Sequence, residues 1–338
     1  MRDYILQIKR GQSLSHDQIT VAMELIMTGQ VPLEVIKEFL LALNAKGPTV
    51  EEITACALIM RKFVVPVKRS HDIVLDTCGT GGDHRNTFNI STVAAMVVAA
   101  CGVAVAKHGN RSVSSKCGSA DVLEALGVNL QMEEKYLGEC LEKIGLAFLF
   151  AQRLHPAMKN VADARKSLGV KTIFNILGPL TNPAQATHQV MGVYSRDLLE
   201  PMAHVLQNLG LRRALVVYGN DGLDEITTTD RTFVSEFSGD DEIRSYDISV
   251  DELGVPRARM EDLAGGNVSE NASIAKGVLE GEKGHRRNIV AVNAGWALYT
   301  AGAVDNFPLG LRMAEHAIDS GRALQKLKDL KEFTNRAR

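Results

Sequence analysis

From Ile73 onward the chain repeats one unit: a short apolar run, a loop of glycines and hydroxyl side chains, then an apolar helix pattern. "IVLD" runs into "TCGTGGDHRNTFNIST" and the helix "STVAAMVVAACG"; "VAVAK" runs into "HGNRSVSSKCGS" and "ADVLEALG". Parallel strands need a long crossover between them, so this alternation predicts an α/β unit: a mostly parallel sheet with helices on both faces. "LAFLF" (146–150), "QVMGVY" (189–194) and "ALVVYG" (214–219) read as further strands, and "RTFVSEFSGDDEIRSYDIS" as a β-hairpin around a Gly-Asp-Asp turn.

The first 65 residues or so carry no strand signal. "SLSHDQITVAMELIMTG" offers Ser15 and Gln18 as a capping box and Gly29 as a stop, and "GPTVEEITACALIMRKF" repeats the logic with Thr49 and Glu52. A helical unit over residues 1–68 is therefore expected. A proline- and glycine-bearing crossover at about 170–187, including "KTIFNILGPLTNP", joins it to an α/β unit made of 71–168 and 188–338. A chain of 338 residues is long enough for two such units.

The loops carry the chemistry. In the first, Gly79, Gly81 and Gly82 let successive backbone N–H groups face one ligand, and the helix starting near Ser91 or Thr92 adds its free N–H groups and dipole. The pattern is neither G-x-x-x-x-G-K-[ST] nor a GxGxxG that opens a helix directly, so ATP and NAD fit poorly. The second loop places Lys107, Arg111 and Lys116 among Ser112, Ser114, Ser115 and Ser119, with Gly109 and Gly118. Two such loops at the carboxyl edge of one sheet suit a diphosphate or a bis-phosphorylated sugar. Such anions usually travel with Mg²⁺, and "YGNDGLDEIT" supplies Asp224 and Glu225 after a strand, with Ser91 as a hydroxyl ligand.

"HPAMKNVADARKSLG" reads as a helix with His155, Met158, Ala162 and Arg165 within roughly 80° of arc. Arg165 then either clamps the carboxylate of a flat, partly apolar ligand or pairs with Asp163 at the surface. His108 is a loop histidine that could touch substrate. Cys78 has no visible base to make it a nucleophile.

These motifs, "GTGGD…NIST", "KHGNRSVSSKCGSADVLEALG", "HPAMKNVADARKSLGVKTIFNILGPLTNP" and "GLDEIT", resemble the anthranilate phosphoribosyltransferase family over essentially the whole chain. The resemblance implies a small all-helical domain beside a large α/β domain, and a homodimer formed through the helical domains. It implies 5-phosphoribosyl 1-diphosphate as donor, anthranilate as acceptor and Mg²⁺ as cofactor. The donor's ligands would be Gly79, Gly82, Asp83, Thr87, Asn89, Ile90, Ser91, Thr92, Lys107, His108, Gly109, Asn110, Arg111, Ser112, Val113, Ser114, Ser115 and Ser119. Gly79, Asn110 and Arg165 would contact anthranilate, and Ser91, Asp224 and Glu225 would hold the metal. Lys107, Asp224 and Glu225 would be catalytic. The acceptor's amine is an aniline, uncharged at neutral pH, which is consistent with the lack of an evident general base.

Two other readings share parts of this pattern. A pyrimidine-type nucleoside phosphorylase would use one phosphate and no acidic pair. A non-catalytic nucleic-acid-binding relative would need a basic surface, which a formal charge of −2 does not supply. Five scattered cysteines without a CxxC pair fit a reducing compartment. The charged start "MRDYILQIKRGQ" is unlike a signal peptide, and no apolar run reaches the roughly 20 residues that span a bilayer. A cytoplasmic protein without membrane or nucleic-acid partners is expected.

Overall fold

The computed structural model describes residues 1–112 and 117–336. Val113, Ser114, Ser115 and Lys116, named above in the second loop, lie outside the described residues. The chain begins with α1 (Arg2–Lys9), α2 (His16–Met27), α3 (Leu33–Lys46) and α4 (Val50–Lys62). Both expected capping boxes form: the Gln18 N–H donates to Ser15 Oγ at 3.3 Å, and the Glu52 N–H to Thr49 Oγ1 at 3.2 Å. Glu52 is itself buried, accepting from the Leu14 N–H at 2.9 Å and pairing with Lys46 at 2.7 Å. Gly29, at φ 74°, takes the left-handed turn that ends α2.

The α/β part follows as β1 (Val74–Asp76), α5 (Ile90–Ala100), β2 (Ala104–Gly109), α6 (Ser119–Ala125), α7 (Lys135–Ile144) and β3 (Leu146–Phe150). Next come α8 (Ala151–Leu154), α9 (Lys159–Leu168), α10 (Phe174–Leu177), β4 (His188–Gly192), α11 (Leu199–Asn208) and β5 (Arg213–Gly219). The chain closes with β6 (Thr232–Ser238), β7 (Arg244–Ile248), α12 (Val268–Leu279), α13 (His285–Thr300), α14 (Phe307–Asp319) and α15 (Arg322–Arg336).

The described residues form one seven-stranded sheet in the order β3-β2-β1-β4-β5-β6-β7. Strands β3 to β5 run parallel, and β6 and β7 are the antiparallel hairpin read from the sequence. β1 pairs with β2 on one side and β4 on the other, so the order reverses there. That is the crevice where open α/β sheets bind ligands. The loop leaving β1 opens at this point.

Both faces of the sheet are covered, and the strands alternate between two cores. Val190, Leu215 and Val217 join α5 and α13, while Met191, Ala214 and Val216 face α11 and the N-terminal helices. This explains why α5 is apolar all round: it packs on the sheet, α13 and α15. The second core also takes in Val161 and Ala164 of α9 and Phe174 and Leu177 of α10. Asn160 donates to the Met27 carbonyl at 2.7 Å, and Arg61 donates to the Leu180 and Leu209 carbonyls at 2.8 and 3.2 Å. The N-terminal helices thus hold α9 and the crossover segment from one side.

One element differs from its expected form. The helix read as continuous from His155 begins with a 3₁₀ turn over Pro156–Met158, and α9 starts at Lys159. A residue before proline is pushed out of the α region, and His155 has φ −122° and ψ 64°. The four-residue face is therefore wrong: Ala162 is exposed, and Val161 and Ala164 are the buried positions.

Candidate active site

Three strand ends meet around the loop that follows β1. Gly81 and Gly82, at φ 63° and 74°, turn the chain back on itself, and the Thr80 N–H donates to the Gly192 carbonyl at the end of β4 at 2.8 Å. Gly79 is a glycine for lack of room: a Cβ there would sit 3.0 Å from both Gly192 O and Asp224 Oδ2. His84 and Asn86, in the same loop, also hold positive φ, which costs non-glycine residues energy and marks an over-determined conformation.

Asp224 and Glu225, just beyond β5, reach this loop at two separate points. The Gly81 N–H donates to Asp224 Oδ2 at 2.8 Å, and the Ser91 N–H donates to Glu225 Oε1 at 3.1 Å. Buried Asn293 on α13 braces the acids from below, accepting from the Ile226 N–H at 3.0 Å and donating to the Ile226 carbonyl at 2.9 Å. Loss of water raises the pKa of both carboxyls, with the charge of Asp83 adding for Asp224 and that of Asp224 adding for Glu225. Two crowded carboxylates beside a hydroxyl form an all-oxygen donor set that a hard divalent cation would neutralise. The residues present fit Mg²⁺.

Lys107 closes the floor. It is 4% exposed, and Nζ donates to Thr77 O at 3.1 Å, Thr77 Oγ1 at 3.2 Å and Ser91 Oγ at 3.4 Å. Its charge reaches Glu225 and opposes the rise there. Beneath it Asp76 accepts from the His108 N–H at 3.1 Å and from Asn182 Nδ2 at 2.7 Å, while burial pushes its carboxyl up to about 6 against the pull of Lys107.

The expected donor ligands fall into distinct positions. Gly79, Gly82, Asp83 and Ser91 line the first loop or its helix start, beside the acid pair or its neighbours. Thr87 forms a bridge to Ala264, and Asn89 donates to the Cys117 carbonyl at 3.2 Å, tying the first loop to the end of the second. Ile90 and Thr92 have side chains buried at the start of α5, and the Ile90 N–H is spent on the Phe88 carbonyl. Gly109 ends β2. The Asn110 carbonyl accepts from the Ser119 hydroxyl at 3.2 Å. Arg111 pairs with Asp121 and Glu124 at 2.8 and 2.9 Å and lies over Phe150, so its charge is matched within the protein. The Ser112 N–H donates to Asp121 Oδ2 at 3.1 Å.

His108 belongs to strand β2 and is buried, rather than lying on the loop. Its Nε2 meets Nε2 of His155 at 3.0 Å. Burial holds both imidazoles below their ordinary pKa, His155 at about 4, so both are neutral near pH 7. The Cys78 thiol is pushed up by burial and stays protonated. Arg165 forms no ion pair among the described residues: its guanidinium lies 5.9 Å from the centre of the Phe174 ring, and burial lowers its pKa. The Asp163 pairing left open above is not made.

Several residues of the site escape sequence reasoning. Lys171 donates from Nζ to the Gly82 carbonyl at 3.0 Å and lies 3.4 Å from the centre of the Tyr194 ring. Asn271 holds the Gly266 N–H at 2.7 Å and reaches Asn89 Oδ1 at 3.3 Å. Asp76, Asn182 and Asn293 act over similarly long separations, and no local spacing announces such pairs. Asp76 alone carried a signal, as an acid at the end of an apolar strand that opens a glycine loop.

Residues 71–324 match the Glycosyl transferase family, a/b domain, and residues 2–64 its helical bundle domain, which places the chain among glycosyltransferases of this two-part build. An anthranilate phosphoribosyltransferase of Acetivibrio thermocellus is 50% identical over 335 residues, covering 99% of this chain and 97% of the relative. The crystal structure of anthranilate phosphoribosyltransferase from Thermus thermophilus superposes with a TM-score of 0.94 at 42% identity, covering 98% of this chain and 99% of that one. The Saccharomyces cerevisiae enzyme in complex with PRPP and Mg gives 0.91 at 26% identity, covering 99% and 97%. The chain belongs to the anthranilate phosphoribosyltransferase family.

Proposed function

We propose that this protein transfers the 5-phosphoribosyl group from 5-phosphoribosyl 1-diphosphate to the amine of anthranilate. The products are N-(5-phosphoribosyl)anthranilate and diphosphate, the second step of tryptophan biosynthesis. One observation carries the reading: Asp224 and Glu225 bond to backbone N–H groups at opposite ends of the glycine loop, so the acid pair and the anion cradle are one site.

The C1–O bond of the donor breaks with its electron pair going to diphosphate, and the nitrogen of anthranilate bonds to C1 and then loses a proton. Charge grows on the departing diphosphate as this happens. The Gly79 and Gly82 N–H groups of the turn, the hydroxyls at the start of α5 and the Lys107 ammonium bind that charge, and they do so more strongly in the transition state than in the ground state. Mg²⁺, held by Asp224, Glu225 and Ser91, supplies positive charge to the leaving group when bound. Arg165, with its charge unmatched on the side of the helical core, takes the acceptor's carboxylate and aims the amine, with Gly79 and Asn110 completing the contact. Asp83, Thr87, Asn89, His108, Arg111, Ser112 and Ser119 belong to the wider donor site, some through backbone atoms or by holding loop shape.

Five of the nine large apolar side chains exposed among the described residues, Leu6, Val21, Leu33, Leu41 and Leu58, lie on α1 to α4. This supports a homodimer formed through the helical unit, which sedimentation in an analytical ultracentrifuge would test. Among the described residues no helix is long and apolar enough to cross a membrane, and we place the enzyme in the cytoplasm. The activity test is direct: anthranilate fluorescence should disappear only when both the diphosphate sugar and Mg²⁺ are added. Phosphorolysis of uridine in place of that reaction would overturn the assignment.

A further inference from the structure

Lys171 stands where two parts of the site meet, and the functions assigned above leave it unused. Arg165 rides on α9, whose buried side chains Val161 and Ala164 belong to the core of the N-terminal helices. That helix ends at Gly169 in a left-handed turn, φ 63°. Two residues later Lys171 leaves that unit and reaches the donor loop. Its Nζ donates to the Gly82 carbonyl at 3.0 Å. Its ammonium rests on the Tyr194 ring, and the Tyr194 N–H in turn donates to Thr80 Oγ1, in the same loop, at 3.1 Å.

The loop is thus gripped at Gly82 directly and at Thr80 through Tyr194. Asp83 and Asp224 lie near enough to pull on the ammonium charge. Lys107 approaches the acid pair from β2, and Lys171 approaches it from the crossover, so the donor site has a cation on each side. Of these two lysines, Lys171 alone is close to Arg165 along the chain: six positions, with the last turn of α9 and its glycine cap between them.

Resting on the functional reading above, we infer that Lys171 is a positioning residue that couples the two substrate sites, holding the glycine loop in register with the helix that carries Arg165. An anion seated in the loop orders Gly82 and Thr80, and through Lys171 it orders the segment leading back to Arg165. A carboxylate on Arg165 acts in the reverse direction. Coupling of this kind is reciprocal, and each ligand strengthens the binding of the other by the same factor.

The test needs two ligands that bind without reacting. Anthranilate and inorganic diphosphate with Mg²⁺ serve, because diphosphate carries no sugar to transfer. Anthranilate is titrated by its own fluorescence with and without magnesium diphosphate, and the ratio of the two dissociation constants is the coupling factor. For the unaltered protein we expect about 5–50-fold tightening. Lys171→Met should bring the ratio close to one while leaving the affinity for anthranilate alone within about twofold, because Arg165 is untouched. Lys171→Arg should retain most of the coupling, since the cation and its reach are kept. Should Lys171→Met fail to fold, Lys171→Gln is read in the same way. Full coupling in the methionine or glutamine variant, or no coupling in the unaltered protein, overturns the inference alone. Absence of any anthranilate binding to the unaltered protein overturns the functional reading, and this inference with it.

Discussion

Gly192→Ala tests the placement of the acid pair most sharply, because Gly192 has no role assigned to it in binding substrate or metal. Gly192 ends β4, and its α-carbon faces the backbone of the Asp224 turn. A methyl group there would overlap the Asp224 carbonyl oxygen and sit 3.1 Å from the Asp224 Cα, and backbone atoms have no rotamer by which to escape. The turn would have to withdraw from β4 by on the order of 1 Å, and a misplacement of that size at a reacting centre costs about 100-fold. The Gly81 to Asp224 bond, at 2.8 Å, has no slack to absorb it. Turnover followed by anthranilate fluorescence should therefore fall by about two orders of magnitude, and more Mg²⁺ should be needed for half-maximal rate. Overpacking should also destabilise the fold by about 1–3 kcal/mol, which a thermal melt would register. A variant that folds normally and keeps both its rate and its Mg²⁺ requirement would show that the position of the acids relative to β4 is immaterial, and the site would have to be redrawn.

Asp224→Asn with Glu225→Gln should collapse turnover and its Mg²⁺ dependence, and unchanged activity with an unchanged Mg²⁺ requirement would dismiss their metal role. Arg165→Ala should raise KM for anthranilate by about 1.5–3 kcal/mol, as expected for a charged hydrogen bond, with kcat much less affected; a loss confined to affinity for the diphosphate sugar would refute the assignment. The raised pKa of Asp224 and Glu225 gives a pH prediction with a definite sign. Below the raised values the metal-free protein holds protons that Mg²⁺ must displace, so the rise in melting temperature produced by Mg²⁺ should grow from pH 6 to pH 8. An equal rise at both pH values would contradict the crowding of the two carboxyls.

The elements of the α/β part, the capping boxes of α2 and α4, the hairpin of β6 and β7 and the glycine loop after β1 were legible because each depends on neighbours a few residues apart. Amphipathic period, a serine three positions before a glutamine and glycines after an apolar run are short-range signals. The helix expected from His155 starts late for a short-range reason too: Pro156 forces His155 out of the α region despite the apolar spacing around it. Arg111 shows a different failure. A cation in a serine-rich loop looks available for phosphate, yet Asp121 and Glu124, on and beside the next helical turn, claim it once α6 forms.

Taken alone, the order of residues determined which segments become strands, helices and loops, and which loops have the flexible backbone and charge to hold an anion. Tertiary structure decided what those loops face. Pairing β1 between β2 and β4 opened the crevice at its end, brought Gly192 against the Asp224 turn, and let Asn182 reach Asp76 across 106 positions of chain. It also laid α9 on the N-terminal helices, and the chain leaving that helix brings Lys171 to the Gly82 carbonyl. Local spacing cannot encode such meetings, because they follow from burying two faces of one sheet at once, a demand that only the whole chain can satisfy.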